Sequence, residues 1–255
     1  SFGIKENRYS KDGTMVSLGE IDIKDMIVGD SGSFILHIGG TTDSKNFLPL
    51  PKNANMLIVR QTYTNRVSQI HAKVNIKTTS SPATPELLTS AKLETQLNQS
   101  LAFVRGTAST FLKWVHEFKE NHKNKLPLGD QSFFQAAGGD PKICYLHGYY
   151  ELDKNECLEI TTDIPDCEYW NFQLENYWME SLDYRHYPIH INESTAILNQ
   201  DKSITINITH LPVNLKNNLI TEGRNNGAML LRWIGATDHP IPKVLIKKLD
   251  SMEIS

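Results

Sequence analysis

The chain has 255 residues, of which 39% are hydrophobic and 22% are charged, so it can bury a full core and is not compositionally disordered. Its formal net charge of −3 argues against a nucleic acid or an anionic membrane surface as the main partner. No run of about 18 apolar residues is present, so we expect no membrane span. No signal peptide is visible, and since the sequence begins without Met we expect a longer natural N-terminus; the compartment is left open.

The first third of the sequence predicts β-strands. Apolar residues alternate over 32–40, and β-rich runs follow over 55–65 and 72–78. The spacing then becomes helical from about residue 85 to residue 120, with Thr84 as the N-cap and Pro85 at the first helical position. One side of this helix carries an apolar stripe from Leu93 to Phe118, and Gly106 is the point at which the helix would bend.

The remaining sequence returns to the two-residue period of strands. Seven strands are predicted, at 143–152, 156–164, 169–175, 195–200, 203–210, 228–234 and 243–249. Residues 199–203 are predicted to form a hairpin turn. Many short strands around one long helix indicate a mainly β protein, a sandwich or a barrel with a helical cover. We expect a single structural unit over residues 1–255, since no repeat or linker interrupts the pattern.

Cysteine and histidine offer little evidence of a metal centre. The spacing of Cys144, Cys157 and Cys167 matches no zinc motif, and the first two lie in predicted strands, where a free Cys is usually a small buried hydrophobe. His186 and His190 are four residues apart, but the segment contains a proline and is not predicted to be helical. A His-based site inside a small barrel is an alternative, and we predict neither a metal nor a cofactor.

Polar residues within predicted strands are the more informative signal. In 169–175, Trp170, Phe172 and Leu174 form an apolar set, while Gln173 belongs to the polar set on the opposite face. This polar face either lines a cavity or is wetted by solvent, as antiparallel sheets commonly are. His147 likewise lies within an apolar strand.

Three charged residues follow the 169–175 strand. Glu180 and Asp183 are a carboxylate pair that can divide acid and base roles when their environments separate their pKa values. Alternatively, Arg185 or Arg105 neutralises them in a structural ion-pair network.

Several stretches resemble the domain of unknown function 1214 family, which often occurs with domain of unknown function 1254. They are NFLPLPKNANMLIVRQTY, AFVRGTASTFLKW, FFQAAGGDPKICYLHGYYEL, CEYWNFQLENYWMESLDYR and GAMLLRW, in the same order between Asn46 and Trp233. The resemblance implies a jelly-roll-like antiparallel β-sandwich with an inserted helical segment, and oligomers, but no established reaction. Residues 216–224, KNNLITEGR, depart from the family pattern P-N-W-L-D-T-A-G-H, so no role of that Asp and His is carried over.

The function predicted from these features is the binding of a small polar or carbohydrate-like ligand. The predicted pocket is lined by Arg60, His147, Trp170, Gln173, Glu180 and Arg185. The first alternative is a hydrolase or lyase that uses His147 with Glu180 or Asp183 as general acid and base. The second is a structural protein that assembles as a homo-oligomer.

Overall fold

The computed structural model describes residues 1–79 and 87–249. This part of the chain forms two compact units: one comprises Ser1–Ser109 with Ala136–Gly138, and the other begins at Thr110–Gln135 and resumes at Gly139. That residues 1–255 form a single jelly-roll-like domain stays a prediction. The predicted helix start at Thr84 and Pro85 lies outside the described residues.

The first unit contains short strands around a small core. They are β1 (Phe2–Asn7), β2 (Met15–Ile21), β3 (His37–Ile38), β4 (Phe47–Leu48) and β5 (Met56–Val59), with a 3₁₀ helix at Ile23–Asp25. An antiparallel sheet has the order β2-β1-β5, and β3 pairs with β4 in parallel. Phe2, Ile4, Met26 and Leu48 form the core of this unit.

The predicted strands of this region are too long or wrong. The 32–40 run contains only β3, the 55–65 run only β5, and 72–78 contains no strand. At the start of 72–78, a side chain forms the backbone hydrogen bonds that a neighbouring strand would otherwise form. The Gln61 amide donates to the Ala72 carbonyl oxygen (3.2 Å) and accepts from the Ala72 N–H (2.9 Å). Because this amide meets both backbone groups, Ala72 needs no strand partner.

The long predicted helix is present as α1 (Ser90–Asn121) and is continuous through Gly106. Thr89 caps it, since its Oγ1 accepts from the Lys92 N–H at 3.2 Å. Gly106 does not bend the helix; it lets the Tyr9 backbone approach so closely that a Cβ would overlap the Tyr9 carbonyl. The apolar stripe is buried near Phe118 but exposed around Leu97. Among the described helices, none is long and apolar enough to cross a membrane.

The second unit holds the second helix and most of the strands. They are α2 (Gln131–Ala136), β6 (Ile143–Glu151), β7 (Glu156–Thr162), β8 (Tyr169–Leu174), β9 (His190–Asn192), β10 (Ile204–Thr209), β11 (Asn218–Ile220), β12 (Asn226–Ile234) and β13 (Lys243–Lys248). Two four-stranded sheets result: sheet I in the order β11-β10-β7-β13 and sheet II in the order β6-β12-β8-β9. All pairs are antiparallel except β10 with β11. The prediction of a mainly β protein with one long helix is confirmed.

Side chains from sheets I and II enter one hydrophobic core. Trp233 of β12 and Trp170 of β8 are cross-strand partners in sheet II, with ring centroids 6.1 Å apart. From sheet I, the cross-strand partners Ile160 and Ile206 enter the same core. Burying each large apolar side chain contributes roughly 1.5–3 kcal/mol, so this core fixes which face of each strand points inward.

The predicted strand at 195–200 is wrong, so residues 199–203 do not join two strands of a hairpin. They do form a turn, in which the Asn199 N–H donates to the Ser203 carbonyl (2.9 Å). The Asn217 side chain explains the missing strand. Its amide accepts from the Ile197 N–H and donates to the Ile197 carbonyl, both at 2.8 Å. Ile197 is 54% exposed, and of its neighbours Ala196 packs against the core.

The cysteines are all free thiols. Cys144 in β6 and Cys157 in β7 are buried, as the sequence predicts, and Cys167 is partly buried. Burial raises the pKa of Cys144 to about 11, so this thiol is protonated at neutral pH.

Gly148 in β6 tests how tightly the second unit is packed. An alanine Cβ there would overlap the Lys125 carbonyl oxygen and press on Met229. We expect Gly148→Ala to lower the free energy of unfolding by about 1–3 kcal/mol, measured by urea denaturation. The control is Gly19→Ala, whose Cβ meets only Leu48 at an ordinary 3.5 Å. Equal stability of the two variants would contradict the packing described for Gly148.

Candidate functional site

Strand β8 divides its side chains between the core and a polar face of sheet II. Trp170, Phe172 and Leu174 are buried in the core, as the alternation predicts. Asn171 and Gln173 are partly buried on the opposite face. Trp170, predicted to contact a ligand, therefore lies on the other side of the sheet from Gln173.

His147 shares the polar face with Gln173. The two residues lie on strands that flank β12, and both pair with Leu230 of that strand. Since directly paired residues of adjacent strands project to the same side, the fold brings these two predicted site residues to one face.

The surroundings of His147 are aromatic. Its ring stacks on Phe118 of α1, with ring centroids 4.8 Å apart, and lies 4.7 Å from the Phe134 ring of α2. Burial is the main reason that the pKa of His147 falls to about 3, and the positive charge of Arg232 adds to it. The ring is therefore neutral at physiological pH and is a poor general acid or base.

Arg232 and Glu175 were missed as site residues. Arg232 of β12 donates from Nη1 to Gln173 Oε1 at 3.1 Å, and Gln173 Nε2 donates to Glu175 Oε1 at 2.6 Å. Burial raises the pKa of Glu175, and the charge of Arg232 opposes this shift. The available signal was a charged residue inside the apolar run 228–234, but the register that joins it to Gln173 cannot be read from sequence.

After Glu175 the chain leaves sheet II and forms a loop over residues 176–185. The Asn176 side chain organises its first turn: Oδ1 accepts from the N–H groups of Trp178 (2.8 Å) and Glu180 (3.0 Å), and Nδ2 donates to Glu180 Oε2 (2.7 Å). Glu180 is exposed and takes part in this turn. Met179 has a left-handed backbone, with φ of 60°.

Two ion pairs follow in the same region. The Asp183 carboxylate accepts two hydrogen bonds from the Arg185 guanidinium, both at 2.9 Å, and one from the Arg185 N–H at 3.1 Å, and these hold the pKa of Asp183 at about 2. Glu222 pairs with Arg224 and also accepts from the Asp183 N–H at 2.7 Å, which ties residues 222–224 to the loop. Asp183 is thus neutralised by Arg185, one of the two partners considered from the sequence.

Two depressions open to solvent lie beside this loop, with volumes of about 410 Å³ and 490 Å³. We call them together the loop cleft. The first is lined by Asn176, Ser181, Leu182, Asp183, Tyr184, Arg185, Glu222 and Arg224, and the second by Asn176, Tyr177, Trp178, Gly223, Arg224, Asn225 and Asn226. Trp178 is 55% exposed, an unusual exposure for so large an apolar ring.

The structure separates the residues predicted to line one pocket. His147 and Gln173 share the polar face of sheet II, Arg185 lines the loop cleft, and Glu180 lies in the first turn of the loop. Arg60 belongs to the first unit, where its Nη2 donates to the Gly138 carbonyl oxygen at 3.2 Å. Trp170 is in the core.

Within residues 1–79 and 87–249, no group of three or more His, Cys, Asp or Glu is placed to hold a metal ion. That the protein needs no cofactor stays a prediction.

Comparison with solved structures identifies a relative. An uncharacterised protein from Burkholderia cenocepacia has a crystal structure with a TM-score of 0.91 and 34% sequence identity, over 97% of this chain and 69% of that chain. This chain belongs to the same family as the Burkholderia protein. A Vibrio parahaemolyticus protein shows a TM-score of 0.33 and 13% identity over 63% of this chain and 47% of its own, too little to carry an argument. No family model and no curated protein matches the chain.

The Burkholderia protein is uncharacterised, so membership of its family assigns no reaction or ligand to this chain.

The low pKa of His147 makes stability depend on pH. Below the unfolded pKa of about 6.5, the unfolded chain binds a proton that folded His147 does not bind until about pH 3. The contribution of His147 to the free energy of unfolding is therefore fully present above about pH 6.5 and decreases as the pH falls. Between about pH 7 and pH 5, we expect the wild type to lose roughly 2 kcal/mol more unfolding free energy than His147→Phe, measured by urea denaturation. Parallel losses would contradict the burial of a neutral ring.

The Asp183–Arg185 pair makes a second pH prediction. The carboxyl ¹³C signal of Asp183 should titrate at about pH 2, and in Arg185→Gln its midpoint should rise towards the ordinary value of about 3.9. The ion pair thus stabilises the folded state fully at pH values above the ordinary pKa, and this stabilisation is lost as the pH falls through about 2. Arg224→Gln is the control, because Arg224 bonds Glu222 and should leave the Asp183 midpoint unchanged. A shift in the control equal to that in Arg185→Gln would refute the assignment.

Proposed function

We propose that this protein binds a small, neutral, carbohydrate-like ligand in the loop cleft. The observation that carries the proposal is the exposed ring of Trp178 at the edge of the 490 Å³ depression. A Trp ring left in water beside polar groups costs hydrophobic free energy unless something covers it. The apolar C–H face of a sugar ring stacks well on such an aromatic surface.

The polar groups around Trp178 suit hydroxyl groups. Arg224 lines both depressions and uses Nη1 to pair with Glu222, while Arg185 and Asp183 supply donors and acceptors to the first depression. Hydrogen bonds to charged groups are stronger than those between neutral groups. Because both arginines are paired with carboxylates, the local charges cancel and a neutral ligand is favoured over an ionic one.

We further propose that sheets I and II form a jelly-roll-like β-sandwich and that the chain is a member of the domain of unknown function 1214 family. The shared core of the two sheets supports the sandwich. The order of the resembling stretches between Asn46 and Trp233 supports the family.

The acid/base alternative has weaker support. It requires His147, Glu180 and Asp183 around one cavity, but of these three only Asp183 lines the loop cleft. The neutral state of His147 weakens it further. Assembly as a homo-oligomer stays a prediction, which a light-scattering mass tests.

Binding is tested by a thermal-shift screen of neutral mono- and oligosaccharides, followed by calorimetry of the best ligand. A ligand that prefers the folded state raises its stability. We expect Trp178→Ala to weaken sugar binding at least tenfold, which corresponds to about 1.4 kcal/mol, because the stacking surface is lost. The unfolding free energy should change little, since Trp178 is exposed.

The matched control is Tyr187→Ala. Tyr187 is also an exposed aromatic residue, 46% exposed, but it lines neither depression. Its variant should bind the sugar as the wild type does. Failure of every sugar to bind, or equal losses in the two variants, would refute the loop cleft as the site.

A further inference from the structure

Besides Tyr150 Oη, three buried polar atoms of the second unit have no hydrogen-bond partner among the described residues, and these three lie on the polar face of sheet II. They are Glu175 Oε2, Asn171 Oδ1 and His147 Nδ1. Glu175 is 3% exposed and His147 is 5% exposed, so bulk water does not satisfy them. Native proteins contain few such atoms, and several on one face call for a polar partner, which is a buried water or a bound polar molecule.

A guanidinium group and a carboxyl group lie next to these atoms, separated by one amide group. The Arg232 guanidinium donates to the carbonyl end of the Gln173 side chain (3.1 Å), and the nitrogen end of the same amide donates to Glu175 (2.6 Å). Arg232 has further N–H donors, and within the described residues no other acceptor is recorded for them. Glu175 has one carboxylate oxygen still free to accept.

The Gln173 amide thus presents an acceptor to a cation and a donor to an anion. A free α-amino acid presents the same pair in charged form, with its carboxylate and its ammonium group one carbon apart. Gln173 is only partly buried, so its side chain can rotate away and leave Arg232 and Glu175 to an incoming molecule.

We propose that Arg232 and Glu175 form a second binding site, which accepts the zwitterion of a free α-amino acid in place of the Gln173 amide. The ligand carboxylate binds the Arg232 guanidinium, and the ligand ammonium binds the free oxygen of Glu175. Asn171, the cross-strand partner of Arg232, offers its unpartnered Oδ1 to a donor on the ligand side chain. The proposal does not depend on ligand binding in the loop cleft.

Charge balance favours a zwitterion over a simple anion or cation. Burial favours the neutral carboxyl of Glu175, but a ligand ammonium group beside its free oxygen favours the carboxylate, so in the complex Arg232 and Glu175 carry opposite charges. A ligand with one charge would neutralise one of them and leave the other with a neutral partner at most, and an unpaired buried charge is costly. A zwitterion satisfies both charges, and its ammonium group brings donors that the unpartnered acceptors lack.

The ligand side of the proposal is tested on the unmodified full chain. The twenty free amino acids are screened by thermal shift, and the best is measured by calorimetry beside its carboxamide and its N-acetyl derivative. We expect the zwitterion to bind and each derivative, which lacks one charge, to bind at least tenfold more weakly. If no amino acid binds, or if a derivative binds as tightly, the proposal is wrong and the unpartnered atoms hold water.

The protein side is tested with three isosteric or smaller changes. Glu175→Gln and Arg232→Gln should each weaken binding at least tenfold. Gln173→Ala should tighten it severalfold, because the competing amide is removed; a residue with only a structural role would not produce a gain. Unchanged affinity in Glu175→Gln, or weaker binding in Gln173→Ala, overturns the proposal.

Arg185→Gln and Trp178→Ala are the controls, since both residues line the loop cleft and should leave amino-acid binding unchanged. If Trp178→Ala loses sugar binding but keeps amino-acid binding, the loop cleft and the second site are distinct. If a variant fails to fold by circular dichroism, the derivatives measured on the wild type decide the question.

Discussion

The burial of Trp233 against Trp170 is the contact on which the geometry of the second unit depends. The two rings are cross-strand partners on β12 and β8, and both are almost wholly removed from water. A shift of one residue in either strand would expose its whole apolar set, so the core holds the register. This register also determines the opposite face, where it sets Arg232 beside Asn171 and brings His147 and Gln173 to the two sides of Leu230. The polar face is therefore a consequence of the packing of the core.

The loop after β8 follows a different principle. Leu182 is the loop residue that is buried in the core, and hydrogen bonds from side chains to the backbone determine the shape of the rest of the loop. The Asn176 amide forms the first turn, and Glu222 holds the Asp183 N–H from a neighbouring segment. Such a scaffold leaves the Trp178 ring at the surface. An exposed aromatic ring on a polar loop is the kind of surface on which ligand binding is commonly found.

Periodicity made part of this structure predictable. The alternation of β8 and of the central strands of sheets I and II follows from apolar spacing, because one face of each strand is buried. The same spacing predicts the long helix, although its apolar stripe is buried only near Phe118. The segments at 72–78 and 195–200 failed for the opposite reason: they are exposed, and amides of Gln61 and Asn217 bond their backbone. No local sequence pattern shows that the side chain of a distant residue will form the backbone hydrogen bonds that a neighbouring strand would otherwise form.

The candidate site was predictable only in fragments. His147 and Gln173 were identified as polar residues within strands, and the sheet does place them on one face. Arg232 was visible as a charge in an apolar run, but its bond to Gln173 spans 59 residues of sequence. Long-range register of this kind depends on the packing of the whole sheet. For the same reason, sequence spacing could not show that Trp170 points away from Gln173 or that Arg60 belongs to the first unit.

The two buried cysteines can report local opening of the sheets in which they lie. Cys144 is buried and held in its unreactive protonated form, and Cys157 is equally enclosed in the strand that precedes β8. A thiol reagent can therefore modify them only when sheet I or sheet II opens locally. Because one of these two thiols lies in each sheet, their labelling rates would measure the opening of each sheet separately, without any introduced cysteine.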